Sequence, residues 1–258
     1  MFVSRIQITA AVLAVLPSVA PAEEAPVDLV VSTLEWPPYT GSHLPGEGAA
    51  SEVLRAAIAA ETPEAEVEIR FLPWNRAVAL ARDSEAVHAY FPGYDCTHEE
   101  GFVSSAPFGA SVLGFAEPRP HPLNWRVLED LSGLPLKFGT VLGYRNTKAF
   151  DDMVAQGALQ VLSAKDDVTN LRRLLAGRVD AVVIDQRVMR YLVRTEPSLW
   201  AQKIRIGFNA KPLAEQPLHV CFKDDAKGRE LRDRFDRGLA SLDQKGAMID
   251  AYIQREFQ

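Results

Sequence analysis

The chain has 258 residues, 47% of them hydrophobic and 24% charged, which is enough to bury a full core in one large domain or two smaller ones. Its formal net charge is −6 and it has no basic block, which argues against nucleic acid as a partner. No apolar run reaches the length of a membrane span.

Residues 1–22 read as a secretory signal. Arg5 makes a small positive start, residues 6–16 form a short apolar run, and Ala20-Pro21-Ala22 is an A-x-A-like cleavage site. The expected mature chain begins near Glu23 and lies in the periplasm. Only two cysteines occur, Cys96 and Cys221. After export such a pair suits either one disulfide or two buried thiols.

From there, strand-like and helix-like stretches alternate. Residues 28–33 read as a buried strand, and Ala50, Val53, Leu54, Ala57 and Ile58 recur at helical spacing after Gly48. Between them lies WPPYTG (36–41), where two prolines stiffen the backbone and exclude a strand interior. Its aromatics, Trp36 and Tyr39, either stack a ligand or cap the core. Val67, Ile69 and Phe71 alternate in a strand over 67–72, Pro73 ends it, and a short helix follows over 74–83. Strands are predicted at 87–91 and 112–116, and then Pro118, Pro120 and Pro122 mark a break.

Beyond the break the alternation restarts. It predicts strands at 136–141, 159–162 and 179–184, and helices at 146–156, around Leu171 and Leu174, and at 186–195. Asp166 or Asp167 stands near an N-cap, and Gly177 lies just past that helix. A proline-containing loop over 211–217 precedes a strand at 218–222, and two helices close the chain. The pattern is α/β with two sheets, broken near residues 117 and 215.

Motifs for enzyme chemistry are absent: no phosphate-binding glycine loop, no C-x-x-C and no H-E-x-x-H occurs. The stretch from Gly109 to Leu113 misses a nucleophile elbow because its last residue is not glycine. The polar cluster Asp95, Cys96, Thr97, His98, Glu99 and Glu100 reads as a metal site, a ligand loop or a solvated acidic loop; consecutive loop residues seldom all face one ion, so no metal is assigned. Asp185 ends a strand, where α/β folds place ligands, and equally suits a cap for the next helix.

WPPYTG at 36–41, the helix after Gly48, VEIRFLPWNRAVAL at 67–80, AYFPGYDCTHEE at 89–100, SSAPF at 104–108, LEDLSGLPLKFGTVLGY at 128–144 and NLRRLLAGRVDAVVID at 170–185 follow one another over nearly the whole mature chain. In that order and spacing they resemble the type 2 periplasmic solute-binding proteins, in particular the family-3, polar amino-acid branch. The resemblance implies a two-lobe α/β fold of the periplasmic-binding-protein-like II type, its lobes joined by two crossing strands with the ligand in the cleft. Lobe 1 would comprise residues 23–112 and 217–258, and lobe 2 residues 113–216. Cys96 and Cys221 then fall in one lobe, which favours a disulfide.

Carried over position by position, the resemblance makes Trp36 and Trp74 an aromatic pair around the ligand and puts Tyr94 and Asp95 on the polar loop of lobe 1. Gly143, Tyr144 and Arg145 match the lobe-2 loop that meets an anionic group, and Asp185 matches the acid that receives an α-amino group. One position departs: where the family has an arginine that clamps the ligand's carboxylate, this chain has Glu100. Either Arg145 replaces that charge, or Asp95, Glu100 and Asp185 favour a cation between aromatic faces. The implied function is capture of a small polar solute, amino-acid-like or cationic, for the membrane permease of an ABC-type transporter, by a monomer without cofactor or catalytic residues. The alternatives are a cyclohexadienyl or arogenate dehydratase-like enzyme on the same scaffold and a ligand-sensing accessory protein.

Overall fold

The computed structural model describes residues 27–242 and 245–257. The signal sequence and cleavage site read at residues 1–22 lie outside the described residues. The first half-sheet is built from β1 (Val27–Thr33), followed by helix α1 (Ala49–Glu61), β2 (Glu66–Phe71), helix α2 (Trp74–Asp83), β3 (Ala89–Gly93) and the short β4 (Phe102–Ser104). Strand β1 pairs parallel with both β2 and β3. It is covered on both faces, so Leu29, Val30 and Val31 are apolar in succession, and Ser32 and Thr33 after them are buried as well.

The chain then enters β5 (Gly109–Pro118) and a second half-sheet. This holds β6 (Lys137–Val141), helix α3 (Lys148–Ala155), β7 (Gln160–Ala164), helix α4 (Asp167–Leu175), β8 (Ala181–Asp185), helices α5 (Gln186–Thr195) and α6 (Pro197–Trp200), and β9 (Ile206–Phe208). It returns along β10 (Ala214–Lys223) to helices α7 (Ala226–Ser241) and α8 (Lys245–Phe257), which cover the first half-sheet. The strand order is β2-β1-β3-β10-β5-β8-β6-β7, with β4 on β10 and β9 on β5.

Strands β5 and β10 cross between the half-sheets. They pair antiparallel from Leu113↔Ala214 to Gly109↔Leu218. Past that stretch β5 pairs with β8 and β9, while β10 pairs with β3 and β4. Both strands run through prolines that the sequence reads as breaks. Pro217 is tolerated because Leu218 is the residue turned to the partner, its carbonyl accepting from Phe108 N at 2.9 Å, so the neighbouring Pro217 nitrogen points away from the ladder. The predicted strand at 112–116 therefore extends to 109–118, and the loop at 211–217 is largely strand.

Apolar faces close the layers. Leu54, Ile58, Leu231, Phe235, Leu239, Ile249 and Tyr252 pack α1, α7 and α8 on the first half-sheet, in one cluster that continues to Leu171, Ile184 and Leu192 of the second. Phe115, Phe138 and Phe150 fill the opposite face of the second half-sheet, with ring centroids 5.3 to 6.3 Å apart.

Cys96, in the turn after β3, is disulfide-bonded to Cys221 on β10, with their Cα atoms 5.3 Å apart. The bond spans 125 positions of sequence, so its loss releases a long loop in the unfolded chain. A Cys96→Ala/Cys221→Ala double variant should lose about 2–5 kcal/mol of stability in urea unfolding; reduction of the wild type should reproduce the loss, and the already reduced double variant should show no further effect.

Candidate functional site

The WPPYTG loop closes on itself at the C-terminal end of β1. Trp36 N donates to Thr40 O at 2.9 Å, Thr40 N to Trp36 O at 3.2 Å, and Thr40 Oγ1 to Leu34 O at 2.8 Å. The loop also caps α1, because Ala49 N and Ala50 N donate to Pro38 O and Tyr39 O at 3.0 and 2.8 Å. Gly48 lets the two come this close: its φ is +103°, and a Cβ there would lie 2.5 Å from Tyr39 O. Trp36 stacks on Tyr39 at 4.5 Å between centroids and meets Tyr94 edge-on at 6.3 Å. Tyr39 is fully buried, whereas Trp36 is buried and also faces a cavity, so the loop both caps the core and presents a ring.

A second aromatic wall comes from Trp74 at the start of α2. It meets Tyr90 at 5.5 Å and Tyr144 at 6.3 Å, both edge-on. Its Nε1 donates to Gly143 O at 3.1 Å, a bond between the first half-sheet's α2 and the loop after β6 in the second. Gly143 has φ +81°, and a Cβ there would fall 1.7 Å from Asn75 Oδ1, so the loop sits directly on the first turn of α2.

These walls enclose a cavity of about 390 Å³. Of the residues read from sequence, Trp36, Trp74, Tyr94, Asp95, Gly143, Tyr144 and Arg145 line it. Two do not. Glu100 is exposed and outside the lining, so it makes no direct contact with a solute in this cavity. Asp185 is 2% exposed and also outside the lining, with its carboxyl oxygens taken up by protein donors.

Asp185 is a brace. Its Oδ1 accepts from Arg187 N and Val188 N at 2.7 and 2.8 Å, capping α5. Its Oδ2 accepts from Ser111 Oγ at 2.6 Å and Tyr39 OH at 3.1 Å. Burial raises its pKa, opposed by these donors, Ser111 first. Tyr94 OH extends the network to Ser111 Oγ at 2.9 Å.

The cavity's charges are unevenly satisfied. Asp95 Oδ1 accepts from Thr97 N and Thr97 Oγ1 at 2.9 and 2.7 Å, and His98 Nε2 lies 3.1 Å from its Oδ2. Burial alone would raise the Asp95 pKa, but the Thr97 bonds and His98 leave it below the ordinary value. Glu99 pairs with Arg82 at 2.6 Å, and Asp152 with Lys148 at 2.6 Å. Asp151 accepts from Asn146 N and Nδ2 at 3.1 and 2.8 Å. Among the described residues, no carboxylate lies within ion-pair distance of Arg145, so its exposed guanidinium is free to meet an anion. No group of three or more His, Cys, Asp or Glu is placed to hold a metal ion among the described residues.

Sequence reasoning missed Tyr90, Asn146 and Gln216, which also line the cavity, as does Glu99 of the polar cluster. Tyr90 stands inside the AYFPGYDCTHEE stretch and could have been found there. Gln216, whose Nε2 donates to Asn146 O at 3.1 Å, was hidden because its segment reads as loop.

If Asp185 braces the fold, Asp185→Ala leaves two helix N–H groups and two hydroxyls without their acceptor. We expect a loss of about 2–4 kcal/mol in urea unfolding. Unchanged stability with abolished solute binding would instead return Asp185 to the role of direct contact.

No family model matches the chain, and no curated protein matches it. Solved structures do. A histidine kinase sensor domain with similarity to periplasmic binding proteins aligns at TM-score 0.69 and 22% identity, over 89% of this chain and 95% of that one. The ligand-binding core of GluR0 from Nostoc punctiforme, in complex with L-glutamate, aligns at TM-score 0.67 and 19% identity, over 89% and 99%. The amino acid ABC transporter substrate-binding protein AbpA from Streptococcus pneumoniae, bound to L-arginine, aligns at TM-score 0.67 and 18% identity, over 89% and 96%. At these identities the likeness establishes the fold, a type II periplasmic-binding-protein fold.

Proposed function

From a type II periplasmic-binding-protein fold with an aromatic cavity at the seam of its halves, we propose that this protein captures a small amino-acid-like solute. In this reading it works in the periplasm, after removal of residues 1–22, and delivers the solute to a membrane permease of the ABC type. The observation that carries it is the composition of the cavity wall: Trp36, Trp74 and Tyr94 come from the first half-sheet side, and Gly143, Tyr144 and Arg145 from the second. A solute there touches both sides, which is the requirement for a ligand to stabilise a closed cleft. We take the lobes to divide at 112/113 and 216/217, inside the paired stretch of β5 and β10, which then acts as the hinge.

Arg145 directs the ligand class. It is the cationic lining group that pairs with no carboxylate among the described residues, so it meets the solute's carboxylate in place of the arginine absent at position 100. Asp95 and Glu99 stand on the opposite wall for the ammonium group, and the Trp36 and Trp74 rings cover the apolar part. The resemblance to binding proteins for L-arginine and L-glutamate supports this class. Capture is common to transport and sensing, and the likeness to a sensor domain supports sensing as the second reading.

A thermal-shift screen tests the proposal. The protein, stripped of ligand by unfolding and refolding, is exposed to the amino acids, to diamines and betaines, and to divalent metals. An amino acid at a hundred times its Kd should add about 2.7 kcal/mol of stability. Trp74→Ala and Arg145→Ala should each remove that gain. If only compounds without a carboxylate stabilise the protein, the role of Arg145 is wrong; if nothing does, solute capture is wrong.

A further inference from the structure

Trp36 and Tyr144 line two cavities, not one. Beyond them lies a second chamber of about 530 Å³, between the loop after β1 and the α4–α5 face of the other half. Its ionisable lining is one-sided: Glu35, Asp166, Asp167 and Glu196 contribute carboxylates, His43 the imidazole, and no lysine or arginine is among the described residues lining it.

Three of the four acids are already engaged. Glu35 accepts from Ser42 Oγ at 2.6 Å and lies 3.5 Å from His43 Nδ1. Asp166 caps α4 through Thr169 N at 2.7 Å and lies 3.6 Å from Lys165 Nζ. Glu196 pairs with Arg172 at 3.2 Å. Asp167 differs. It is only 6% exposed, it lines the chamber, and among the described residues no donor or cation reaches its carboxyl. Its oxygens are therefore not sealed in the core but open onto the chamber, where a ligand with N–H donors and positive charge would give them partners that no protein group supplies.

We propose that this chamber is a binding site for an organic cation, an ammonium or guanidinium group, which places its N–H donors on Asp167 and its flank against Trp36 and Tyr144. The two rings supply cation–π attraction from the same side that faces the solute cavity. Glu35 stands on one half and Asp167 on the other, so the cation also offsets the like charges that closure brings together. A metal ion is disfavoured, because no group of three suitable ligands is assembled among the described residues.

Protonation supports this assignment. Burial, then Asp185 and Asp166, push the Asp167 pKa up to about 8. The other ionisable groups around the chamber are Glu35, His43, Asp166, Glu196, Tyr144 and Tyr191, and no lysine or arginine is among the described residues lining it. Below pH 8 the empty site therefore holds a proton on Asp167, and a cation must displace it. Binding should tighten as pH rises toward 8.5 and should release protons at lower pH.

Isothermal titration of the full-length protein with agmatine, with putrescine and with calcium chloride tests the proposal. At pH 8.5 at least one of the two amines should bind saturably. Its affinity should fall about fivefold or more at pH 6.5, with proton release seen as a buffer-dependent enthalpy. Asp167→Asn should weaken binding by about tenfold or more and abolish the proton release, and Glu35→Gln should weaken it less. Asp152→Asn removes a carboxylate that lines the first cavity and not the second chamber, and should retain amine binding, which tells the two sites apart. Three results would overturn the proposal: no amine bound at pH 8.5, equal affinity in Asp167→Asn, or uptake of calcium alone.

Discussion

A buried carboxylate holds the two halves of this molecule in register. Asp185 ends β8 and starts α5, yet it also takes hydrogen bonds from Ser111 on the crossing strand β5 and from Tyr39 in the loop after β1. Arg187, in the first turn of α5, adds to the same seam: it donates to Ala110 O at 3.2 Å and pairs with Asp250 on α8. The crossing strands give the halves a shared axis, and this network fixes how the WPPYTG loop sits against the second half. Trp36 stacks on the tyrosine that Asp185 holds, so the placement of the cavity wall depends on it.

Closure at the mouth rests on less. Trp74 Nε1 to Gly143 O is one hydrogen bond, at 3.1 Å, with the aromatic edges of Tyr90 and Tyr144 beside it. Such a bond contributes about 0.5–1.5 kcal/mol net, too little to hold two lobes shut against their own freedom. The seam near the hinge is therefore built firmly and the mouth weakly, a distribution that lets a bound solute decide the closed population. Trp36 and Tyr144, as the partition between two chambers of different charge character, would report events on either side.

Much of this could be read from the chain. The alternation of strand and helix, the aromatic loop at 36–41 and the glycine loop at 143–145 each carry a local signal of proline, glycine or periodicity, and the structure brings seven of the nine named ligand residues to one cavity. What escaped was set by tertiary partners. Pro217 reads as a strand breaker, but its missing donor faces no ladder, so Gln216 went unrecognised as a wall residue. Glu100 and Glu99 are neighbours of the same type, and only the three-dimensional turn after Cys96 decides that Glu99 faces the cavity. Asp185 could be assigned as a cap or as a ligand acid, and its further donors come from residues 39 and 111, far away in sequence and invisible to local patterning.

In the proposed function a solute closes the cleft by touching both halves. Small-angle X-ray scattering of the protein without solute and saturated with a stabilising amino acid tests it most directly. The account predicts a fall in radius of gyration and in maximum dimension on saturation. Superimposable scattering curves, with binding confirmed in the same sample, would contradict it.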